Sequence, residues 1–299
     1  MRIAVVGAGA VGCYFGARLA RAGADVSFLA RGASLQAIRT DGVRVRSADE
    51  EFSVPVTAAA DPADLGPCDA VLVCVKTYDT EAAARALPPL LHDETAVVSL
   101  QNGIDNAQRL DVPGHALGGA AFVFAERVAP GVVEYRGGPG TIAFGELHGG
   151  VTPRAERLLA ACRAAGIAER LEPDVRRLLW QKYAFICAQA GMTAAARLPI
   201  GQIRADAEAW TMYRRILEEV AALAAEEGVG VDIEEILAFA RGLPPGGYSS
   251  LHDDLVAGRP LELEALHGTA VRLGRKHGVP TPACAAVYAL LHPSLGSRT

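Results

Sequence analysis

Apolar residues follow two rhythms along this chain, and the change from one to the other divides it. In the first half, short apolar runs alternate with stretches of helical spacing. The runs cover residues 3–6, 26–29, 70–75 and 96–100. The run at 70–75 is apolar at every position, the mark of a strand buried on both faces. Helical spacing falls at 11–22, 34–41, 80–91 (interrupted by Pro88-Pro89) and 152–165. Residues 43–45 and 52–56 read as a short antiparallel insertion. Residues 116–125, 132–135 and 141–144 read as further short strands. From about Pro173 the strand signal ends and helices are expected at 174–196, 205–227, 233–241, 249–257, 261–277 and 282–291. Gly and Pro punctuate them at Gly228, Pro244-Pro245, Gly258 and Gly278.

This order predicts an α/β fold. A doubly wound, parallel sheet with right-handed crossovers occupies residues 1–170, and an all-helical domain occupies 171–299. No internal repeat is evident, and no low-complexity segment beyond a short tail at 293–299. Ligands of such sheets sit beyond the carboxyl ends of the strands. Arg31, Lys76-Thr77 and Asn102 follow apolar runs and are the residues to inspect.

Composition narrows the possible partners. The 299 residues are 51% hydrophobic and 21% charged, enough to bury substantial cores. A net charge of −5 gives no electrostatic reason to expect nucleic acid or an anionic membrane as partner. No apolar run approaches the roughly 18 residues of a membrane span. No charged, apolar leader precedes the first strand. Six cysteines are scattered without a C-x-x-C pair or a Cys/His cluster. They read as reduced, buried thiols of a cytoplasmic protein without a structural metal site.

Directly behind the first apolar run stands Gly7-Ala8-Gly9-Ala10-Val11-Gly12, and a helix follows. Strand, glycine turn, helix, strand is the setting in which G-x-G-x-x-G signifies dinucleotide binding rather than an ordinary turn. The first glycine permits the tight turn, the second a close approach of backbone to pyrophosphate, the third close helix–strand packing. The phosphates then meet free N–H groups and the positive end of the helix dipole. A Rossmann-type domain is therefore expected. An acidic residue after the second strand would hold the ribose of NAD, but Arg31 stands there. A cation suits the 2′-phosphate of NADP(H), and Lys76 offers a second one. Both are otherwise ordinary surface cations.

The helical half carries a second candidate group. Lys182 stands among Leu178, Leu179, Trp180, Tyr183 and Phe185. It either snorkels to solvent or faces a substrate cleft, where a lysine can stabilise and protonate a developing oxyanion. Asn102, in Gln101-Asn102-Gly103, is either a turn residue or a ligand-facing group. Glu262 and Glu264 read as the first turn of a helix behind Pro260, where acidic groups also complement the dipole. Ser250 reads equally as a helix cap.

GAGAVG, Arg31, VKTYDT (75–80), SLQNGI (99–104), LWQK (179–182), Ser249-Ser250 and RPLELE (259–264) recur in this order. The set resembles the ketopantoate reductases, the 2-dehydropantoate 2-reductase family, across essentially the whole chain. The resemblance implies a Rossmann domain plus a helical domain and NADPH-dependent reduction of a 2-oxo acid to a 2-hydroxy acid, a step of pantothenate biosynthesis. It places the family's lysine at Lys182, its glutamate at Glu262 and its substrate-side serine at Ser250. The asparagine that contacts substrate and nicotinamide falls on Asn102, and the 2′-phosphate cations fall on Arg31 and Lys76.

The chain departs from the family where substrate is held. Asparagines recur in the family four and eight residues after the lysine and in the next loop; here those positions are Ile186, Ala190 and Ile200. Gln189 and Thr193 lie within about 20° of the direction of Lys182, at about 100° per residue. They are either substitute substrate contacts or incidental. Three functions stay open: reduction of ketopantoate or a related 2-oxo acid, reduction of a bulkier and more apolar 2-oxo acid or ketone, and NADPH binding without catalysis. The Leu- and Ala-rich helices offer faces for a homodimer, and a monomer is equally compatible.

Overall fold

The computed structural model describes residues 1–295, so 296–299 of the expected tail lie outside the described residues. Its strands are β1 (Arg2–Val6), β2 (Asp25–Leu29), β3 (Val43–Arg46), β4 (Glu51–Val54), β5 (Thr57–Ala59), β6 (Ala70–Val73), β7 (Ala96–Ser99), β8 (Ala116–Ala129), β9 (Val132–Glu146) and β10 (Ala168–Leu171). Among the described residues they form one sheet in the order β4-β3-β9-β8-β7-β6-β1-β2-β5, with β10 on β9. The stretch from β5 to β8 is parallel. β9 runs antiparallel to β8, and β4 antiparallel to β3, so the sheet is mixed rather than wholly parallel.

The unbroken apolar runs are the centre of this sheet, and side-chain alternation explains them. Ile3, Val5, Leu72 and Val98 pack into one core, with Cys13, Phe15 and Leu19 of α1 (Ala10–Arg21). Ala4, Val6, Val71, Val73 and Val97 pack into the opposite one, with Leu87, Leu90 and Leu110. Residues 3–6 and 70–73 meet water on neither face, and no polar position interrupts either run. The other helices of this half are α2 (Gly32–Asp41), α3 (Thr80–Ala86), α4 (Asn106–Arg109) and α5 (Pro153–Ala164). Proline ends α3 as expected, leaving a short 3₁₀ turn at Pro88–Leu90. Thr152 caps α5 by accepting a bond from Ala155 N.

Several boundaries differ from the sequence reading. The pieces expected at 132–135 and 141–144 are the two ends of one strand, β9, and 116–125 belongs to the longer β8. The intervening Arg136 to Gly140 is glycine-rich and poor in strand propensity, yet pairing with β8 carries the strand through it, with register shifts near Phe124. β5 and β10 were not expected; they are short and gain their identity only from the strands they flank. α2 begins at Gly32 rather than 34.

The chain forms two compact units, 1–101 with 105–175 and 102–104 with 176–299. The break falls after Val175, later than 170, because β10 pairs with β9 and stays with the sheet. The helical unit contains α6 (Val175–Ala196), α7 (Ile200–Ala205), α8 (Ala207–Glu226), α9 (Ile233–Gly242), α10 (Ser250–Val256), α11 (Thr269–His277) and α12 (Pro282–Leu291). α6 is packed on most of its circumference, with Tyr183, Ala184, Cys187, Ala188 and Ala194 all in the core. That is the arrangement its apolar sequence requires. α7 was read as loop. The expected helix at 261–277 is instead an irregular approach at 261–263, a π-helical turn at Glu264–Gly268, and α11. Glu262 therefore precedes the helix rather than occupying its first turn.

One close approach shows how tightly α1 sits on the sheet. A Cβ at Gly16 would lie 2.5 Å from Cζ of Phe28, whose ring is fully buried. Gly16→Ala is expected to cost about 1–3 kcal/mol of stability, the scale of overpacking. Urea unfolding measures this, and an unchanged midpoint would mean that the Phe28 ring yields without cost.

Candidate active site

Strand register brings the expected cofactor residues of the sheet unit to one edge. Val6 of β1 is level with Leu29 of β2 and with Val73 of β6, and Val73 is level with Ser99 of β7. Gly7 follows Val6, Arg31 follows Leu29 by two residues, and Lys76 follows Val73 by three. Three neighbouring parallel strands thus deliver these groups from their carboxyl ends. Asn102 follows the fourth, β7, by three residues and is grouped with the helical unit.

The glycine loop passes a steric test for a dinucleotide. Gly7 has φ +110°, and a Cβ there would lie 2.8 Å from Val75 N. A Cβ at Gly12 would strike the carbonyl oxygen of Gly7. Gly9, by contrast, has nothing nearer than Cys74 O at 3.9 Å, so its outer side is open. Gly9 is the N-cap of α1 and supplies no side-chain acceptor to the first-turn N–H groups. Ala8, Ala10 and Val11 are partly exposed around it. These are the features a pyrophosphate needs: close backbone, donors without a cap, and the positive end of a helix. Arg31 is exposed, and its side chain makes no hydrogen bond or ion pair to another described residue. Lys76 caps the 3₁₀ turn Thr77–Asp79 and is partly buried.

In the helical unit Lys182 and Glu262 come together. Lys182 is half-buried on α6, and Glu262 is 7% exposed on the approach to the π-turn. Burial pushes the Lys182 ammonium pKa down to about 8, and the Glu262 carboxylate pushes back in the opposite sense. Partial exposure of the residue and strong desolvation of its charge are compatible, since the stem and the ammonium need not be equally enclosed. The segment bearing Glu262 is tied to α6 at two further points. Tyr183 Oη donates to Leu266 O at 2.6 Å. The ring of buried His267 packs where Gly191 has no side chain, and a Cβ there would strike it. Burial holds the His267 imidazole pKa down at about 4. The sequence reading passed over both Tyr183 and His267, for their partners lie some 80 residues away.

The other predicted residues fare differently. Ser249, not Ser250, caps α10 by accepting from His252 N; Ser250 is exposed, which removes the capping explanation for it. Thr193 is fully buried, and its hydroxyl donates to Gln189 O at 2.7 Å while meeting Ser249 Oγ at 2.8 Å. Gln189 is 6% exposed, and its Oε1 has no hydrogen-bond partner among the described residues. Of the two polar groups on the Lys182 side of α6, Gln189 alone has an acceptor atom without a partner among the described residues. Ile186 is half-buried, whereas Ala190 and Ile200 are core residues, Ile200 also donating its N–H to Gly247 O. The six cysteines are free thiols. No helix among the described residues is long and apolar enough to cross a membrane.

A sheet with a parallel centre and a glycine loop at the carboxyl ends of its strands, joined in one chain to a helical unit with a desolvated lysine, defines a dinucleotide-dependent class of protein. Comparison with known proteins makes this specific. Residues 3–149 match the family model "Ketopantoate reductase PanE/ApbA", and residues 174–294 match that of its C-terminal part. The 2-dehydropantoate 2-reductase of Mesorhizobium japonicum is 32% identical over 97% of this chain and 97% of its own. That of Caulobacter vibrioides is 33% identical over 97% and 98%. The crystal structure of a PanE/ApbA family ketopantoate reductase from Ralstonia eutropha JMP134 superposes with a TM-score of 0.90 at 34% identity, covering 99% and 98% of the two chains. The chain belongs to the ketopantoate reductase family. It is an oxidoreductase of the NADP-dependent class that acts on CH–OH groups.

The opposed effects on Lys182 give a test with a definite sign. A group that must be protonated to act loses activity as pH rises through its pKa. The basic limb of kcat/KM is therefore expected near pH 8. Glu262→Gln removes the influence that raises the pKa, so the limb moves to lower pH, by on the order of one pH unit. A limb that stays put or moves up would show that Glu262 does not act on Lys182.

Proposed function

We propose that this protein reduces a 2-oxo acid, ketopantoate or a close relative, to the 2-hydroxy acid with NADPH. The observation that carries the reading is the desolvated Lys182 beside Glu262, the two residues on which the resemblance places the family's lysine and glutamate. The backbone of residues 7–12 would hold the pyrophosphate, and Arg31 and Lys76 the 2′-phosphate. When bound, NADPH supplies the hydride.

The residues of this chain supply the remaining chemistry. Reduction of a ketone places negative charge on oxygen. Lys182 donates a proton to that oxygen from an ammonium whose lowered pKa makes the transfer easier than from an exposed lysine. Glu262 keeps enough ammonium protonated at neutral pH and fixes its direction. Asn102 and Ser250 serve the polar end of the substrate. Gln189 serves as a further acceptor, since its buried Oε1 is otherwise unpaired. Lys182→Ala is expected to lower kcat by at least about 100-fold while NADPH binding persists. Near-normal turnover would end this account.

A second reading concerns the substrate alone. Past Lys182, α6 offers Ile186 where the family has asparagine, and Ala190 and Ile200 add no hydrogen-bonding side chain. A site without those amides loses its discrimination for a hydroxylated tail and suits a bulkier, apolar 2-oxo acid. NADPH oxidation measured with ketopantoate and with 2-oxo acids bearing branched or aromatic side chains separates the two. The higher kcat/KM identifies the substrate class, and no turnover with any of them would point to a binding protein without catalysis. Equilibrium titration with NADPH and NADH checks the coenzyme: NADPH is expected to bind at least about 10-fold more tightly, as two phosphate-facing cations imply. Equal affinities would refute the roles given to Arg31 and Lys76.

A further inference from the structure

Four polar side chains lie buried behind the turn that begins at Lys76. Thr77, Thr80, Ser99 and Gln101 are 2%, 0%, 4% and 6% exposed. One run of hydrogen bonds joins the side chains of Ser99, Gln101 and Thr80 to the backbone carbonyl of Thr77. Gln101 Nε2 donates to Thr80 Oγ1 at 2.8 Å, and Gln101 Oε1 accepts from Ser99 Oγ at 3.0 Å. Thr80 Oγ1 in turn donates to Thr77 O at 2.9 Å. Arg109 Nη2 donates to the same oxygen at 2.8 Å and is itself held by Glu81. Asp79 N closes the turn onto Lys76 O at 2.8 Å.

Burying an amide in this position costs free energy unless both its ends are bonded. An apolar residue would fill the same space without that cost. What the amide adds is direction, since a fully satisfied buried network permits one arrangement of the groups it joins. Here one end is anchored on Ser99 of β7, and the other reaches the carbonyl next to Lys76 through a single hydroxyl.

We infer that Gln101 is a positioning residue for Lys76: through Thr80 it fixes the 76–79 turn so that the ammonium is presented to the 2′-phosphate of NADPH. The inference rests on the reading of Lys76 given above. It predicts an effect confined to the coenzyme that carries the phosphate. NADH has no 2′-phosphate, so its binding is blind to where Lys76 points.

Fluorescence titration of NADPH and NADH against the full-length protein tests this without turnover. Gln101→Leu is expected to weaken NADPH by at least ~5-fold, the scale of one net hydrogen bond, with NADH unchanged within about 2-fold. Thr80→Val, nearly isosteric, severs the same link and is expected to repeat the result if Gln101→Leu does not fold. In a Lys76→Ala background the Gln101 substitution should add almost nothing, since its effect passes through Lys76. Equal weakening of both coenzymes by a folded variant would mean a merely structural role and overturn the inference. So would additivity with Lys76→Ala. If Lys76→Ala leaves NADPH binding unchanged, the reading of Lys76 fails and the inference with it. If Lys76→Ala weakens NADPH but Gln101→Leu and Thr80→Val do not, the inference alone fails.

Discussion

A positive charge held away from water on α6 sets the terms for the helical unit. Burial disfavours the Lys182 ammonium, and the Glu262 carboxylate opposes that effect. A buried charge that loses its partner costs a protein on the order of 3–5 kcal/mol. The segment bearing Glu262 is held against α6 by more than that attraction. Tyr183 Oη on Leu266 O does part of this, and Leu261, Leu263 and Leu266 in the core do more. Gly191 removes the side chain that would keep His267 away. The π-turn at Glu264–Gly268 belongs to the same arrangement. An extra residue in a helical turn is costly, and such turns recur at functional sites where a side chain must be re-aimed.

The sheet unit solves a different problem by backbone alone. A pyrophosphate needs donors, close approach and a favourable dipole, and none of these requires a particular polar side chain. What the loop requires is the absence of Cβ atoms at Gly7 and Gly12, and strands buried on both faces to hold it. Charged side chains enter only at the periphery, with Arg31 and Lys76 beyond the ends of β2 and β6.

This difference explains what could be read from the sequence. The central strands were legible because burial on two faces leaves an unbroken apolar run, as in Ala70 to Val73. The glycine loop was legible because its spacing is imposed by sterics that any sequence must obey. β9 was read as two pieces because Arg136 to Gly140 lacks strand propensity, and only its pairing with β8 overrides that. The 261–277 segment was read as one helix because apolar spacing does not separate a π-turn from an α-turn. Lys182 is ambiguous in the sequence between solvent and an enclosed site, since its neighbours are apolar either way, and Glu262, the carboxylate that acts on it, lies 80 residues on. The sequence assigns Tyr183 and Gln101 no role of their own because their partners, Leu266 and Thr80, are distant in sequence.

The same reasoning explains why coenzyme and reaction class are easier to infer than substrate. Hydride acceptance by any 2-oxo acid calls for the same proton and the same charge at the same oxygen, so Lys182 and Glu262 are compatible with the whole class. Discrimination within the class depends on groups that touch the remainder of the molecule, and there one hydrogen bond decides by its presence or absence. On α6 the Thr193 hydroxyl is already committed to Gln189 O and Ser249, and Ala190 offers only a methyl group. The unpaired Oε1 of Gln189 stands out against this apolar surface. An acceptor buried without a donor is costly, and a ligand hydroxyl or amide would relieve that cost whereas a wholly hydrocarbon tail would not. On the proposed function, a substrate with both an apolar portion and a hydrogen-bond donor suits these two features together.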